Sequence, residues 1–472
     1  MKFRYFLWLF LSFSVSGQEV QWASKILKCS SDLGSKPYGS KRMIGKPDVF
    51  PQGGVSPNAW SPKNALDGKE AVEVAFEKPQ TVKQIAIFEN VNAGCVVKIS
   101  VDTGSGNYET VWTRKKDWKT PTFKATMLAD HAYYFKRKRR KLQDAPDILN
   151  PGIEHAILEQ SVGNVVAVKV EFNFALLPGP KQIDAIGISD ATIPLEATIN
   201  VGASFQNLPN PEVVETNDFD VVNCAVSDDG ATLFFTANDG QKEQIYSATK
   251  SANGKWSTPI LQTALSENDT YNYLEFCSNQ MLLKAGNEYN KETGTCGYQW
   301  FQNNAGTFEA KEQLKIAAYA NYGTTSDATA TLDLKKLIFA IESDFTQGGT
   351  DLYFCNQKEA ASYGLLQNMG KGINSSDDEI TPQLLSDTKT ILFSSNGFSG
   401  FGNFDLYVSY RLDDTWKNWS EPINLGSKIN GEGSECAPFY DEKNQLLYFT
   451  KSGQLNTRLM VLKISKLDVM KQ

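Results

Sequence analysis

The heptapeptide Asp387-Thr-Lys-Thr-Ile-Leu-Phe393 returns in altered letters through the second half of the chain. Asp229-Gly-Ala-Thr-Leu-Phe-Phe235 and Asp333-Leu-Lys-Lys-Leu-Ile-Phe339 likewise open on Asp and close an apolar run on Phe, while Lys443-Asn-Gln-Leu-Leu-Tyr-Phe449 fills the same slots without the Asp. Asp with Gly or Lys close behind favours a tight turn, and the apolar residues after it suit a buried strand. A further strand follows each phrase at similar distance: Gln244-Ile-Tyr246, Asp351-Leu-Tyr353, Asp405-Leu-Tyr407 and Arg458-Leu-Met460.

The connectors recur too. Asn424-Leu-Gly-Ser-Lys-Ile-Asn430 echoes Asn368-Met-Gly-Lys-Gly-Ile-Asn374, Asn200-Val-Gly202 opens the region in the same way, and Trp256-Ser-Thr-Pro-Ile260 matches Trp419-Ser-Glu-Pro-Ile423 as an outer strand. Units starting near Asp218, Ser266, Ala317, Asn374 and Asn430 are each roughly 37–57 residues long, room for four short strands, which is the size of a propeller blade. The repeats predict a β-propeller of about five blades, with six as the alternative because the second unit matches poorly.

These phrases resemble the WD-like, TolB-type propeller repeats of bacterial envelope proteins, in the variety whose blades end in Trp-Ser-x-Pro-x-Asn-Leu-Gly, here Trp419, Ser420, Pro422, Asn424, Leu425 and Gly426. The resemblance covers roughly residues 199–466. It implies a fold rather than a chemistry, because propellers host many activities.

Residues 22–190 read differently. Ala71–Phe76, Val82–Phe88, Val96–Val101 and Val165–Phe172 alternate as strands, and Gln182-Ile-Asp184-Ala-Ile-Gly-Ile188 closes the region. About eight such strands suggest a β-sandwich or jelly roll. Ala65-Leu-Asp67-Gly68, the strand exit at Phe76-Glu-Lys-Pro79-Gln-Thr-Val82, Glu89-Asn90, Asn92, Gly94 and the final Gln182–Ile188 phrase resemble the discoidin-like (galactose-binding-like) jelly roll found beside propellers in Bacteroidetes envelope proteins. The aromatic residues usual after the Asp-Gly turn of the sugar-binding pattern are missing. The resemblance also raises a structural calcium near Asp67; a turn-forming Asp before Gly68 is the expected role, and no cofactor is expected.

The expected fold class is therefore all-β, an N-terminal jelly-roll sandwich followed by a propeller. The expected organisation is a signal peptide at 1–17, a jelly roll at 18–190, a linker at 191–198 and the propeller at 199–472. Met1-Lys-Phe-Arg4 supplies a basic n-region, Tyr5 to Phe13 a short apolar core and Val15-Ser-Gly17 a small-residue cleavage site. No Cys follows that core, which argues against a lipoprotein, and no later apolar run approaches the ~20 residues of a membrane helix. An exported protein, periplasmic or associated with the outer membrane, is expected.

A net charge of −7 gives no hint of nucleic acid. The 7 Cys lack CxxC spacing, which makes a zinc site unexpected; Cys277 and Cys296, within one blade, are the pair to test for a disulfide, and burial as free thiols is the alternative. Only 2 His exist, His131 and His155, neither beside a nucleophile motif. Both are expected to be surface or satisfied polar residues. Glu379 and Glu435 occupy equivalent repeat slots, which favours a structural role or a shared binding rim over an acid and base in unlike environments.

No catalytic residues are therefore assigned, and the expected function is a non-enzymatic adaptor at an outer-membrane assembly, one related by resemblance to type IX secretion or gliding. A carbohydrate-binding protein and a propeller-type hydrolase are the alternatives. The candidate binding residues are Phe345 in loop 343–350, Phe398, Phe401 and Phe404 in and beside loop 396–403, and Glu379 with Glu435. A basic run, Lys136, Arg137, Lys138, Arg139, Arg140 and Lys141, adds an electrostatic contact for an acidic envelope protein or an anionic glycan.

Overall fold

The computed structural model describes residues 18–35, 37–124, 150–217, 219–238, 242–267, 272–278, 280–290, 295–304, 306–323, 326–452, 456–465 and 467. The signal-peptide region, His131 and the basic run from Lys136 to Lys141 lie outside them.

The first domain is one seven-stranded sheet that folds over itself. Its strands are β1 (Val20–Trp22), β2 (Lys25–Cys29), β3 (Lys69–Glu89), β4 (Val96–Asp102), β5 (Glu109–Thr113), β6 (Gly152–Asn173) and β7 (Ala185–Ser189). Two of the expected strands are in fact one. Ala71–Phe76 and Val82–Phe88 both belong to β3, which pairs with β6 along its length and shifts register between Ala75 and Gln84. Pro79, read as a strand exit, sits inside this irregular stretch, where a residue without an N–H is tolerated. On one side of the break β3 pairs with β2, on the other with β7, so the bend turns a single ribbon into both layers of the sandwich. Val72, Val74, Ile85, Ile87, Val168 and Val170 fill the core between them.

Among the described residues the remaining strands form five units, four of them four-stranded and the third with an added short strand, Ser362–Tyr363. Their inner strands are Asp220–Val226, Tyr273–Cys277, Asp327–Ala330, Glu379–Leu384 and Glu435–Asp441. Each neighbours the next, and the fifth neighbours the first, so the ring is closed with five blades. Blade 5 takes its outer strand from Glu212–Val213, which precedes blade 1 in sequence and pairs with Thr457–Lys463. That pairing covers an edge that would otherwise stand open. The poorly matched second unit carries a long outer strand, Thr307–Ile316, which pairs in parallel with Ser362–Tyr363 of blade 3 and merges two blade sheets into one.

The repeated Asp residues have a local cause. Asp229 Oδ1 accepts from Ala231 N, Asp333 Oδ1 from Lys335 N and Asp387 Oδ1 from Lys389 N, at 2.9, 3.1 and 2.8 Å. Each carboxylate thus closes the turn between the first and second strands of its blade. Blade 5, which lacks the repeat Asp, uses Asp441 instead, whose Oδ1 accepts from Asn444 N at 3.0 Å.

The recurring Asn residues act as clasps. Asn430 Oδ1 accepts from Leu406 N at 2.8 Å, and its Nδ2 donates to Leu406 O and to Asn424 Oδ1. Asn374 does the same with Leu352 and Asn368 on the preceding blade.

The expected Cys277–Cys296 bridge is not formed. Cys296 is a free, buried thiol whose Sγ donates to Leu314 O, and Cys29, Cys95, Cys224, Cys355 and Cys436 are also free. Cys95, Cys224, Cys296 and Cys355 pack in hydrophobic clusters as small apolar groups.

Candidate functional site

The loops between the second and third strands of blades 3 and 4 were the expected partner surface. The jelly roll docks on both, burying much of loop 396–403 and meeting loop 343–350 at Gln347. Gln52 Nε2 donates to Gly402 O at 2.5 Å, and Asn58 Nδ2 donates to Gly397 O at 2.6 Å while its Oδ1 accepts from Ser376 N at 2.8 Å. Ser399 Oγ donates to Pro47 O at 2.9 Å, Arg42 Nη2 donates to Gln347 O at 3.3 Å, and Lys46 pairs with Glu421 at 3.4 Å. Gly402 itself packs on the following connector of the propeller, where a Cβ would collide with Gly431 O.

The resemblance motifs of the jelly roll explain how its docking loop is held. Asp184 accepts from Asp48 N, Val49 N and Phe50 N at 3.0, 3.1 and 3.0 Å, and Gln182 Oε1 accepts from Ser56 N at 3.0 Å. The final strand phrase therefore shapes the propeller-facing loop. Residues 191–195, expected as a linker, are also fastened down: Gln84 Nε2 donates to Ile193 O, its Oε1 accepts from Leu195 N, and Leu195 is buried. Asp67 is exposed in its turn, and no cluster of three or more His, Cys, Asp or Glu suited to a metal occurs among the described residues. His155 is half-buried against Gln84 Oε1 at 3.1 Å, and burial lowers its pKa.

The four candidate phenylalanines do not make one exposed patch. Phe398 turns inward onto Phe393 and Tyr407, Phe404 is only 6% exposed, and Phe401 is half-buried, its N–H donating to Asp405 Oδ2. Phe345 alone is exposed, at 68%. Phe398 is taken up by blade packing, covering Tyr407 near the start of the third strand.

Glu379 and Glu435 do occupy equivalent places, each opening an inner strand, and both are fully buried. Glu379 accepts from Ser375 N and Ser395 Oγ, and burial followed by nearby Asp351 pushes its pKa well up. Glu435 accepts from Gly431 N and pairs with Lys451 at 2.7 Å. They brace loops from inside and do not form a binding rim.

A different site lies at the other end of the same strands. The jelly roll meets residues before Glu379 and after Ser395, whereas a cavity of about 400 Å³ is lined by Thr381, Pro382 and Gln383 and by turn residue Ser386. Inner strands of all five blades contribute to it, so it is the mouth of the central channel on the face away from the jelly roll.

Its wall is a chain of blade-to-blade hydrogen bonds. Asn223 Nδ2 donates to Leu274 O, Ala328 N to Glu275 Oε2 at 2.7 Å, Thr381 N to Asp327 Oδ2 at 3.0 Å and Ala437 N to Thr381 Oγ1 at 3.0 Å. Thr381 and Ala437 take positive φ, 49° in each case, at irregularities that turn their N–H groups toward the neighbouring blade.

Glu275 and Asp327 bring two carboxylates into this wall. Burial, and then Asp327, pushes the Glu275 pKa well up; burial raises Asp327 to about 6 against the pull of the Thr381 N–H. Glu275 Oε1 is enclosed and has no hydrogen-bond partner. Sequence reasoning passed over both residues because no shared phrase marks the inner strands, and Glu275 sits in the second unit, which matches the repeat poorly.

No protein-family model matches the chain, and no curated protein does. Among solved structures it is similar to TolB from Acinetobacter baumannii, at 12% identity and a TM-score of 0.32, over 52% of this chain and 55% of that one. The chain thus spans about half the length of that protein. It is also similar to an alpha-L-arabinofuranosidase from Lactobacillus brevis, at 10% identity, TM-score 0.36, over 53% of this chain and 92% of that chain. A third is the chitosan-binding module 1 derived from a chitosanase/glucanase of Paenibacillus sp. IK-5, at 15% identity, TM-score 0.23, over 36% of this chain and 98% of that chain. At these scores none of them bears on what this chain binds.

Proposed function

We propose that the protein is an exported, non-enzymatic adaptor of the bacterial cell envelope that binds an envelope or outer-membrane protein at the open mouth of its propeller channel. One observation carries the reading: the loop face is occupied by the protein's own first domain, while the opposite face presents a cavity of about 400 Å³ to which every blade contributes. Concave sites with a few convergent polar groups are where ligands bind. The jelly roll then serves to cap and orient the propeller, leaving a single face for the partner.

Leu332, 57% exposed on the rim, allows a test that spares the core. Leu332→Trp should narrow the mouth. Capture of the main crosslinked envelope protein, measured by mass spectrometry, should fall at least about fivefold at an unchanged melting temperature. Undiminished capture counts against the site.

A hydrolase is the second reading, favoured by Glu275 and Asp327, two carboxylates with unlike surroundings in one channel. It ranks lower because each already accepts a backbone N–H that ties one blade to the next. Turnover of any glycoside that disappears in Glu275→Gln would reverse that order.

A further inference from the structure

We propose that the contact between the two domains is a proton-controlled latch, tight while Asp48 of the jelly roll and Asp377 of the propeller are neutral and loosened as they ionise. The latch goes beyond the binding role assigned above and does not depend on the channel mouth.

Placement is the first argument. Asp48 follows Pro47, whose carbonyl accepts from Ser399 Oγ of the propeller at 2.9 Å. Asp377 follows Ser376, whose N–H donates to Asn58 Oδ1 of the jelly roll at 2.8 Å. Each acid is therefore one residue from a bond that joins the domains. Arg42 reaches the same place. Its Nη2 donates to Gln347 O at 3.3 Å, and Gln347 N donates to Asp351 Oδ2 at 2.7 Å. The carboxyls that bear on the guanidinium are Asp48 from its own domain and Glu379, Asp351 and Asp377 from the propeller. One cation thus faces four acids. Lys46 and Glu421, also paired across the interface, are more than half exposed and cancel each other.

A second argument comes from the matching junction between blades 4 and 5. Glu435 N donates to Phe404 O there as Glu379 N donates to Thr350 O here, each at 2.7 Å. Strand pairing sets Lys451 opposite Glu435 but Ser395 opposite Glu379. Lys451 neutralises Glu435 from 2.7 Å, whereas Ser395 brings a hydroxyl and no charge. The connector also carries Asp377 and Asp378 where its counterpart has Gly433 and Ser434. The junction beneath the jelly roll therefore holds an excess of acid, and the cation that acts on Asp377 comes from the other domain.

The direction of the switch follows. Burial, and then Asp378, pushes Asp377 well up, against the pull of Arg42. Burial, and then Asp184, pushes Asp48 the same way, with Arg42 opposing and Glu421 adding to the rise. Asp184, which accepts three N–H groups of the docking loop, is raised to about 7 by burial, and Glu379 is raised by burial and then Asp351. Tyr407, donating to Phe398 O and Ser399 O, is lifted well above the usual tyrosine range by burial and then Asp405, so it stays neutral. Parting the domains readmits water and returns Asp48 and Asp377 toward the ordinary 3.8. The docked state thus holds its protons more tightly. Its advantage is complete below about pH 4 and is lost as pH rises through the docked values.

The test is hydrogen exchange of the full chain at pH 5 and pH 8, read by mass spectrometry on a peptide containing Ser376. Each rate is divided by that of the same peptide free in solution at the same pH. Protection should fall at least about tenfold from pH 5 to pH 8. In Asp48→Asn combined with Asp377→Asn it should change less than about threefold. Should that pair melt early, Arg42→Gln serves alone. Its loss of protection should be at least about fivefold larger at pH 8, where the acids are charged, than at pH 5. Equal protection of the parent chain at the two pH values overturns the proposal. So does an undiminished pH dependence in the Asn pair, or an Arg42→Gln loss that is the same at both.

Discussion

Asn58 of the jelly roll and Gly397 of blade 4, 339 positions apart, are joined by a buried 2.6 Å hydrogen bond. The same Asn58 side chain accepts from Ser376 N, so one residue satisfies a donor and an acceptor on two propeller loops. Asn58→Ala leaves both groups buried and unpaired. It should destabilise the protein by about 1–3 kcal/mol. Scanning calorimetry should show one transition for the parent chain and two for the variant, as the domains uncouple. A single, unshifted transition would show that the contact does not bind the domains together.

Replacing Phe398 and Phe401 together with Ser should lower the melting temperature by several degrees, because Phe398 packs on Phe393 and Tyr407 at centroid distances of 6.4 and 5.6 Å. Half-buried aromatics of this kind contribute about 2 kcal/mol when removed. An unchanged melting temperature with lost partner capture would restore the loop face as the binding surface.

Ring closure depends on the segment before blade 1. Val214 N donates to Leu459 O at 2.9 Å beside the Glu212–Val213 strand. Val214→Pro removes that donor and should cost about 2–3 kcal/mol while freeing a strand edge. Light scattering on warming should reveal earlier aggregation than in Val214→Ala. Identical behaviour of the two would mean that the outer strand is dispensable.

Buried carboxylates give the protein an inverted pH response. Burial raises Asp405 to about 7, above its ordinary 3.8, although Phe401 N and Asn424 Nδ2 pull the other way. The folded state therefore holds this proton more tightly than the unfolded chain. Its stabilising effect is complete below about pH 4 and is lost as pH rises through 7. Glu379 and Asp48 are displaced upward for the same reason. The protein should melt several degrees higher at pH 5 than at pH 8, and Asp405→Asn should shrink that difference by roughly 2–4 kcal/mol in stability. A higher melting temperature at pH 8 would contradict the assignment.

What the sequence disclosed and what it hid have physical causes. Asp229, Asp333 and Asp387 were readable because each closes a turn with its own backbone, as Asn374 and Asn430 do for their blades. Local chemistry of that kind repeats wherever the blade repeats. Docking of the jelly roll was not readable, since Gln52 and Asn58 meet Gly402 and Gly397 through single polar contacts that carry no periodicity. Phe398 and Phe404 looked like anchors only because inward and outward aromatics leave the same mark in a loop. Glu275 and Asp327 escaped notice because the channel is assembled from different blades, and no spacing along the chain announces it.

Leu332 and Phe345 offer the most direct trial of the central claim, because both are exposed, one at the channel mouth and the other among the loops on the jelly-roll side. A photoreactive amino acid placed at each position in turn, in living cells, reports which face meets the partner. The account predicts a defined adduct with one envelope protein from position 332 and none from position 345. An adduct from position 345 with nothing from position 332 would contradict it.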